Sequence, residues 1–229
     1  MNSKIIIALD FSQREQVLQF VAPLNPQLCC LKIGKELFTS YGPSLVEELQ
    51  QLGFKIFLDL KFHDIPNTVY KAIRAAANLG VWMVNVHASG GRQMLLQARQ
   101  AITDSQHKPL LIAVTILTSL DVEEVAEIGY QRDLTAQAVH LAKLSYECGL
   151  DGVVCSAHEA NLIKQATSSS FLSVTPGIRL ACSIQDDQTR IMTPRQALNA
   201  GADYLVIGRP ITKASQPLSV LEQINQEIA

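Results

Sequence analysis

The sequence predicts an α/β fold: one closed (β/α)8 barrel of the TIM type, forming a single domain over residues 1–229. Three observations predict it. Apolar runs rich in Val, Ile and Leu alternate eight times with stretches of helical character, about 29 residues to a unit, as parallel strands layered with helices require. No linker or low-complexity segment divides the units. Charged and hydroxyl residues gather just past the C-terminal ends of the apolar runs, the rim on which barrels build their sites. A doubly wound open sheet is the alternative, but no Gly-x-Gly-x-x-Gly follows the first run to support it.

Residues 4–9 read as an apolar run centred on the β-branched Ile5-Ile6-Ile7, suited to a strand buried on both faces, and the run ends at Asp10. Ser12 has the chemistry of an N-cap for a helix carrying Val17, Leu18 and Val21. Residues 27–33 read as the second strand, with Lys32 near its end, followed by Gly34 and a helix over 36–51 that Gly42-Pro43 divides in two. The third strand is 55–61, and Pro66 suits the first turn of a helix over 66–79 that stops at Gly80. The fourth strand is 81–87, after which Ser89-Gly90-Gly91 opens a helix with Met94, Leu95 and Ala98. The fifth strand, 109–117, runs into Thr118-Ser119, and two helices follow over 121–128 and 133–148. Residues 151–155 and 157–166 form the sixth unit, and 171–175 the seventh strand. A long polar stretch over 176–190 lacks periodicity. A short helix over 194–199, the eighth strand over 203–207 and a closing helix over 211–228 complete the chain.

Bulk properties narrow the function. A hydrophobic content of 48% with 17% charged residues is that of a globular protein. A formal charge of −2 argues against nucleic acid or an anionic membrane as partner, while leaving room for a local basic pocket. The five cysteines have neither CxxC nor zinc spacing, so they read as reduced core thiols of a cytoplasmic protein. The apolar run at Ile5-Ile6-Ile7 is too short for a signal peptide or a membrane span.

The chemistry concentrates in residues 57–68. Along a regular strand Asp59 and Lys61 share a face, and Asp64 follows in the loop. Acid, base and acid directed into one space are costly unless they pair or react, and a structural ion pair at a strand end is the plain alternative. Asp10, Lys32, Thr118 and Ser119 fall at the ends of other strands on the same rim. Each alone could cap a helix or extend to solvent; their coincidence points to a site. A second signal lies in Thr175-Pro176-Gly177-Ile178-Arg179 after the seventh strand and Gly208-Arg209 after the eighth. Barrels commonly bind phosphate there, and the planar fork of Arg suits phosphate oxygens, although a rim Arg paired with an acid is the alternative. The polar loop over 177–190 could then serve as a lid. Asp10, Asp59 and Asp64 could hold Mg²⁺, but Lys32 and Lys61 share their space and would repel a cation. No metal is expected. His63 and His87 read as hydrogen-bonded structural residues, and Trp82 as strand packing.

Residues 57–68, with Ala8-Leu9-Asp10, Leu31-Lys32-Ile33-Gly34, Asn85-Val86-His87-Ala88-Ser89-Gly90-Gly91, Leu117-Thr118-Ser119, 175–179 and Val206-Ile207-Gly208-Arg209-Pro210, resemble the orotidine 5′-phosphate decarboxylase family over essentially the whole chain. The resemblance implies a homodimeric barrel that converts orotidine 5′-phosphate to UMP and CO₂ without cofactor. It implies Lys61 as proton donor to C6 of the pyrimidine, Asp59 beside the departing carboxylate, and Lys32 bridging Asp59 and the ribose. Asp64 would reach into the partner's site, bringing Ile65 and Thr68. Asp10 would bind the ribose, Thr118 the pyrimidine, and Arg179, Gln188, Gly208 and Arg209 the phosphate region. One departure is notable: many members read Gly-Ile-Arg-Pro-x-Gly in the lid, whereas Leu180-Ala181-Cys182 follows Arg179 here. Related barrels, the keto-sugar-phosphate decarboxylases and hexulose-phosphate synthases, share Asp-x-Lys-x-x-Asp but use Mg²⁺ and carry an acid where Lys32 stands.

Overall fold

Strand formation follows the apolar runs. In the computed structural model, which describes residues 3–180 and 192–229, eight runs become parallel strands and the intervening stretches become helices. In chain order these are β1 (Ile5–Leu9), α1 (Arg14–Val21), β2 (Cys30–Ile33), α2 (Lys35–Gln51), β3 (Ile56–Phe62), α3 (Pro66–Asn78), β4 (Met83–His87), α4 (Gly91–Asp104) and β5 (Leu110–Val114). They continue with α5 (Val122–Glu127), α6 (Leu134–Glu147), β6 (Gly152–Val154), α7 (Ala157–Ala166), β7 (Leu172–Thr175), α8 (Pro194–Asn199), β8 (Tyr204–Ile207), α9 (Arg209–Thr212) and α10 (Pro217–Ile228). The strands pair in sequence order, and β8 pairs back onto β1 through Ile6↔Val206, which closes the barrel.

Strand alternation divides the core into two layers. Ile5, Ile7, Leu9, Leu31, Ile33 and Leu58 point outward into the packing between sheet and helices. Ile6, Cys30, Phe57, Met83, Ile112 and Val174 point inward and fill the lower barrel. Trp82 and Tyr204 meet edge to face at 5.2 Å against that inner layer, at the start of β4 and β8. The next inward positions, two residues further on, are Ala8, Lys32 and Asp59, which line the open mouth. The apolar plug below therefore sets the floor on which the charged residues stand.

Three local expectations change. Ser12 does not cap α1: the cap position is Gln13, which makes no side-chain capping bond. The closing helix over 211–228 is two helices, α9 and α10, because the ring of Pro217 fits a first helical turn and not a helix interior. The 109–117 strand stops at Val114. The expected division of α2 is present at Gly42, whose φ of 58° glycine adopts without steric penalty. Cys29, Cys30, Cys148 and Cys155 are buried and free, and burial pushes the Cys155 thiol up to about 12. No helix among the described residues is long and apolar enough to cross a membrane.

Candidate active site

The mouth of the barrel holds a cavity of about 310 Å³ with Phe57 among its lining residues. Its size falls at the lower end of the range for small-ligand sites. Asp59, 7% exposed, is part of its lining. Lys61 Nζ donates to Asp59 Oδ1 at 2.6 Å, and Lys32 Nζ lies 3.1 Å from Asp59 Oδ2. Asn85 Nδ2 donates to the same Oδ1 at 2.7 Å. Burial by itself would raise the Asp59 pKa, but the Lys32 and Lys61 ammoniums and the two hydrogen bonds outweigh it and hold this carboxyl below the usual range.

Regular alternation does not bring Asp59 and Lys61 together. Between the pairs Leu58↔Val84 and Phe62↔Val86 the third strand advances four residues while the fourth advances two, so β3 bulges at this point. Within the bulge Lys61 adopts φ = 53°, the one positive φ among the described non-glycine residues. Such a conformation costs on the order of 1–3 kcal/mol and persists only where its surroundings enforce it. The Lys61 N–H donates to Asn85 Oδ1 at 2.8 Å, tying the strained residue to β4. Near it, the His63 and His87 rings lie 5.6 Å apart at a tilt of 37°. They stack and make no hydrogen bonds among the described residues, unlike the expectation for these two side chains. Burial, then the charges of His63, Lys61 and Lys35, push His87 down to about 4.

The opposite wall is built by the turns after β7 and β8. Gly177, with φ = 81°, turns the chain after β7, so that Arg179 lines the cavity. The Arg179 N–H donates to Met192 O at 3.1 Å, and Ile178 bridges Met192 in parallel register. Both ends of the segment between them are thereby tied at one point. Gly208 lies against Asp10: a Cβ added there would stand 3.2 Å from Asp10 Oδ2. Arg209 follows it on the same wall.

Of the residues singled out in the sequence, Asp10, Lys32, Asp59, Lys61, Thr118, Arg179, Gly208 and Arg209 all line this one cavity. Asp64, Ile65 and Thr68 do not. They lie exposed at the start of α3, and Asp64 Oδ1 accepts the Ile65 N–H at 2.6 Å. Gln188 and Cys182 lie outside the described residues. Asn85 was not singled out as a site residue, although it contacts both Asp59 and Lys61. The available signal was its position: an amide in the middle of β4, between Val84 and Val86.

The arrangement is an ammonium held against a carboxylate at one side of a cavity, with guanidinium groups at another. The family model for the orotidine 5′-phosphate decarboxylase / HUMPS family matches residues 3–224. The chain belongs to that family. The orotidine 5′-phosphate decarboxylase of Hahella chejuensis is 57% identical, the alignment covering 98% of this chain and 97% of that protein. The enzyme of the same name from Legionella pneumophila strain Corby is 55% identical over the whole of both chains. Among solved structures, orotidine 5′-phosphate decarboxylase from Lactobacillus acidophilus superposes with a TM-score of 0.88 at 38% identity, covering 99% of each chain.

Proposed function

We propose that the chain decarboxylates orotidine 5′-phosphate to UMP and CO₂ without a cofactor, supplying pyrimidine nucleotide. The observation that carries this reading is the Lys32–Asp59–Lys61 network in a cavity that also presents Arg179 and Arg209. The arginines suit a phosphate, Asp10 a ribose hydroxyl, and Thr118 an edge of the base. The base carboxylate would then lie beside Asp59. As the bond between C6 and the carboxylate breaks, CO₂ departs and the electron pair stays on C6. Lys61 Nζ supplies the compensating charge and gives C6 its proton. Asp59 aims that ammonium.

Repulsion between Asp59 and the substrate carboxylate is too small to account for the rate. Two charges ~4 Å apart at an effective dielectric of ~20 interact by ~4 kcal/mol. Enzymes lower barriers by ~8–23 kcal/mol. Preorganised charge at C6 and binding energy gathered at the phosphate supply the remainder. Lys32 favours this reading over the Mg²⁺-dependent chemistry of related barrels, because it puts a cation on the Asp59 oxygen that a metal would need. Purified protein should deplete the absorbance of orotidine 5′-phosphate equally with and without EDTA. Absence of turnover would refute the reading; loss with EDTA and recovery with Mg²⁺ would favour the metal-dependent branch.

The active unit is a homodimer in which Asp64 completes the partner's site. Support comes from the exposure of Asp64 outside its own cavity, next to Ile65, an apolar side chain left 66% exposed. Mixing inactive Lys61→Ala chains with inactive Asp64→Ala chains should restore activity, since one site of each mixed dimer keeps both residues. No recovery after demonstrated subunit exchange would remove Asp64 from the partner's site.

A further inference from the structure

We infer that Asn85 is a positioning residue for the decarboxylation, a two-sided clamp that sets where Lys61 delivers its proton; the inference rests on the function proposed above. Asn85 is completely buried in β4, one strand away from the reacting groups. Its two amide atoms do different work. Nδ2 donates to Asp59 Oδ1, and Oδ1 accepts the main-chain N–H of Lys61. The partners' chemistry fixes this orientation: an ionised carboxylate can only accept and a peptide N–H can only donate, so the reverse amide would break both contacts.

The clamp controls both halves of the acid–base pair at once. Lys61 occupies a left-handed conformation within a bulge, and the hydrogen bond from its N–H is what β4 supplies against that strain. Released, the bulge would relax toward ordinary strand geometry and turn the Lys61 side chain away. On the other side, the Nδ2 contact fixes the oxygen of Asp59 that receives the Lys61 ammonium. Neither contact touches the cavity wall bearing Arg179 and Arg209, so the clamp belongs to the chemical step and not to substrate capture. A misplacement of about 1 Å at reacting groups can lower rate by about 100-fold.

Two variants separate this role from simple packing. Asn85→Ala removes both contacts; kcat should fall about 100-fold while KM for orotidine 5′-phosphate and binding of UMP change little. Asn85→Asp keeps the side-chain volume and the acceptor for the Lys61 N–H but replaces the donor to Asp59 with a second carboxylate. Like charges at that distance share a proton as pH falls, and the protonated form donates to Asp59 as the amide did. The ratio of variant to parent kcat should therefore rise from pH 8 to pH 5. The other titratable side chains around the pair are Lys32, Lys35, Lys61, His63 and His87. They are common to both proteins, and repeating the pH series in an Asn85→Asp/His87→Gln background, against His87→Gln alone, separates the proton shared by the carboxylates from His87. Asn85→Asp keeps the test available if the alanine variant does not fold. The clamp is overturned if Asn85→Ala stays within threefold of the parent kcat, if its loss resides in KM, or if the Asn85→Asp ratio is flat with pH. A parent protein inert toward orotidine 5′-phosphate would overturn the functional reading itself, an outcome distinct from parent and variants turning over alike.

Discussion

The two ends of the barrel each hold a lysine–aspartate pair, and the pairs differ in what surrounds them. At the lower end Lys164 Nζ donates to Asp203 Oδ2 at 2.8 Å and to the carbonyls of Ser169 and Phe171 at 3.1 Å each. All three ammonium protons are engaged, and Asp203 also accepts the Ser173 N–H. At the mouth Lys61 Nζ bonds Asp59 alone among the described residues, within a cavity. A saturated ammonium ties α7 to β7 and β8. An ammonium with unspent donors, on a strained backbone facing an open cavity, is arranged to act on something else.

Exchanging the removals tests that difference most strongly. Lys61→Ala should lower kcat/KM about 10⁴-fold or more with little change in Tm. Lys164→Ala should lower stability by about 2–4 kcal/mol and leave activity per folded molecule unchanged. Steady-state kinetics and denaturant unfolding of both variants check the pair, and equal effects on both quantities would erase the distinction. A smaller effect is expected at the wall bearing Arg179. Arg179→Ala should reduce kcat/KM about 100-fold without unfolding the barrel, since among the described residues its side chain bonds only the Ile178 carbonyl. Unchanged kcat/KM would take Arg179 out of the site.

The mildest effect concerns pH. His87 titrates at about 4 in the folded chain and near 6.5 when unfolded, so both forms are neutral above about 6.5. As pH falls from 6.5 toward 4 the unfolded chain takes up a proton that the folded chain refuses, and stability drops. The loss should be about 1–2 kcal/mol, because solvent screens a half-buried ring. His87→Gln should flatten this part of the stability curve, measured as Tm between pH 7.5 and 4.5. Asp59 has the opposite origin and a lower window. Its depressed pKa adds stability above about pH 4, lost only as pH falls further. A curve unchanged by His87→Gln would place the pH sensitivity away from the mouth.

Much of this was legible in the chain. The eight strands follow from local periodicity, and buried parallel strands read as plain apolar runs. Eight residues of the cavity lining were legible because a barrel brings every strand end to one rim, so Asp10 and Arg209, far apart in sequence, needed only correct strand ends to be placed together. Ser12 misled because its hydroxyl has the chemistry of a cap, while the extended residue that precedes the helix is Gln13, one position later. The single closing helix misled because only four residues, Lys213 to Gln216, separate α9 from α10, and Pro217 can open a helix as well as end one.

Residues 57–68 mark the boundary between the two kinds of information. The sequence by itself determined that this strand begins apolar and ends in acid and base. Only the tertiary structure decided how they meet. The bulge, the left-handed Lys61 and the seating of Asp59 depend on Asn85, which lies 24 residues from Lys61. Local propensity opposes a left-handed lysine, so no local pattern announces one; the hydrogen bond its N–H donates to Asn85 on the neighbouring strand is what holds it there.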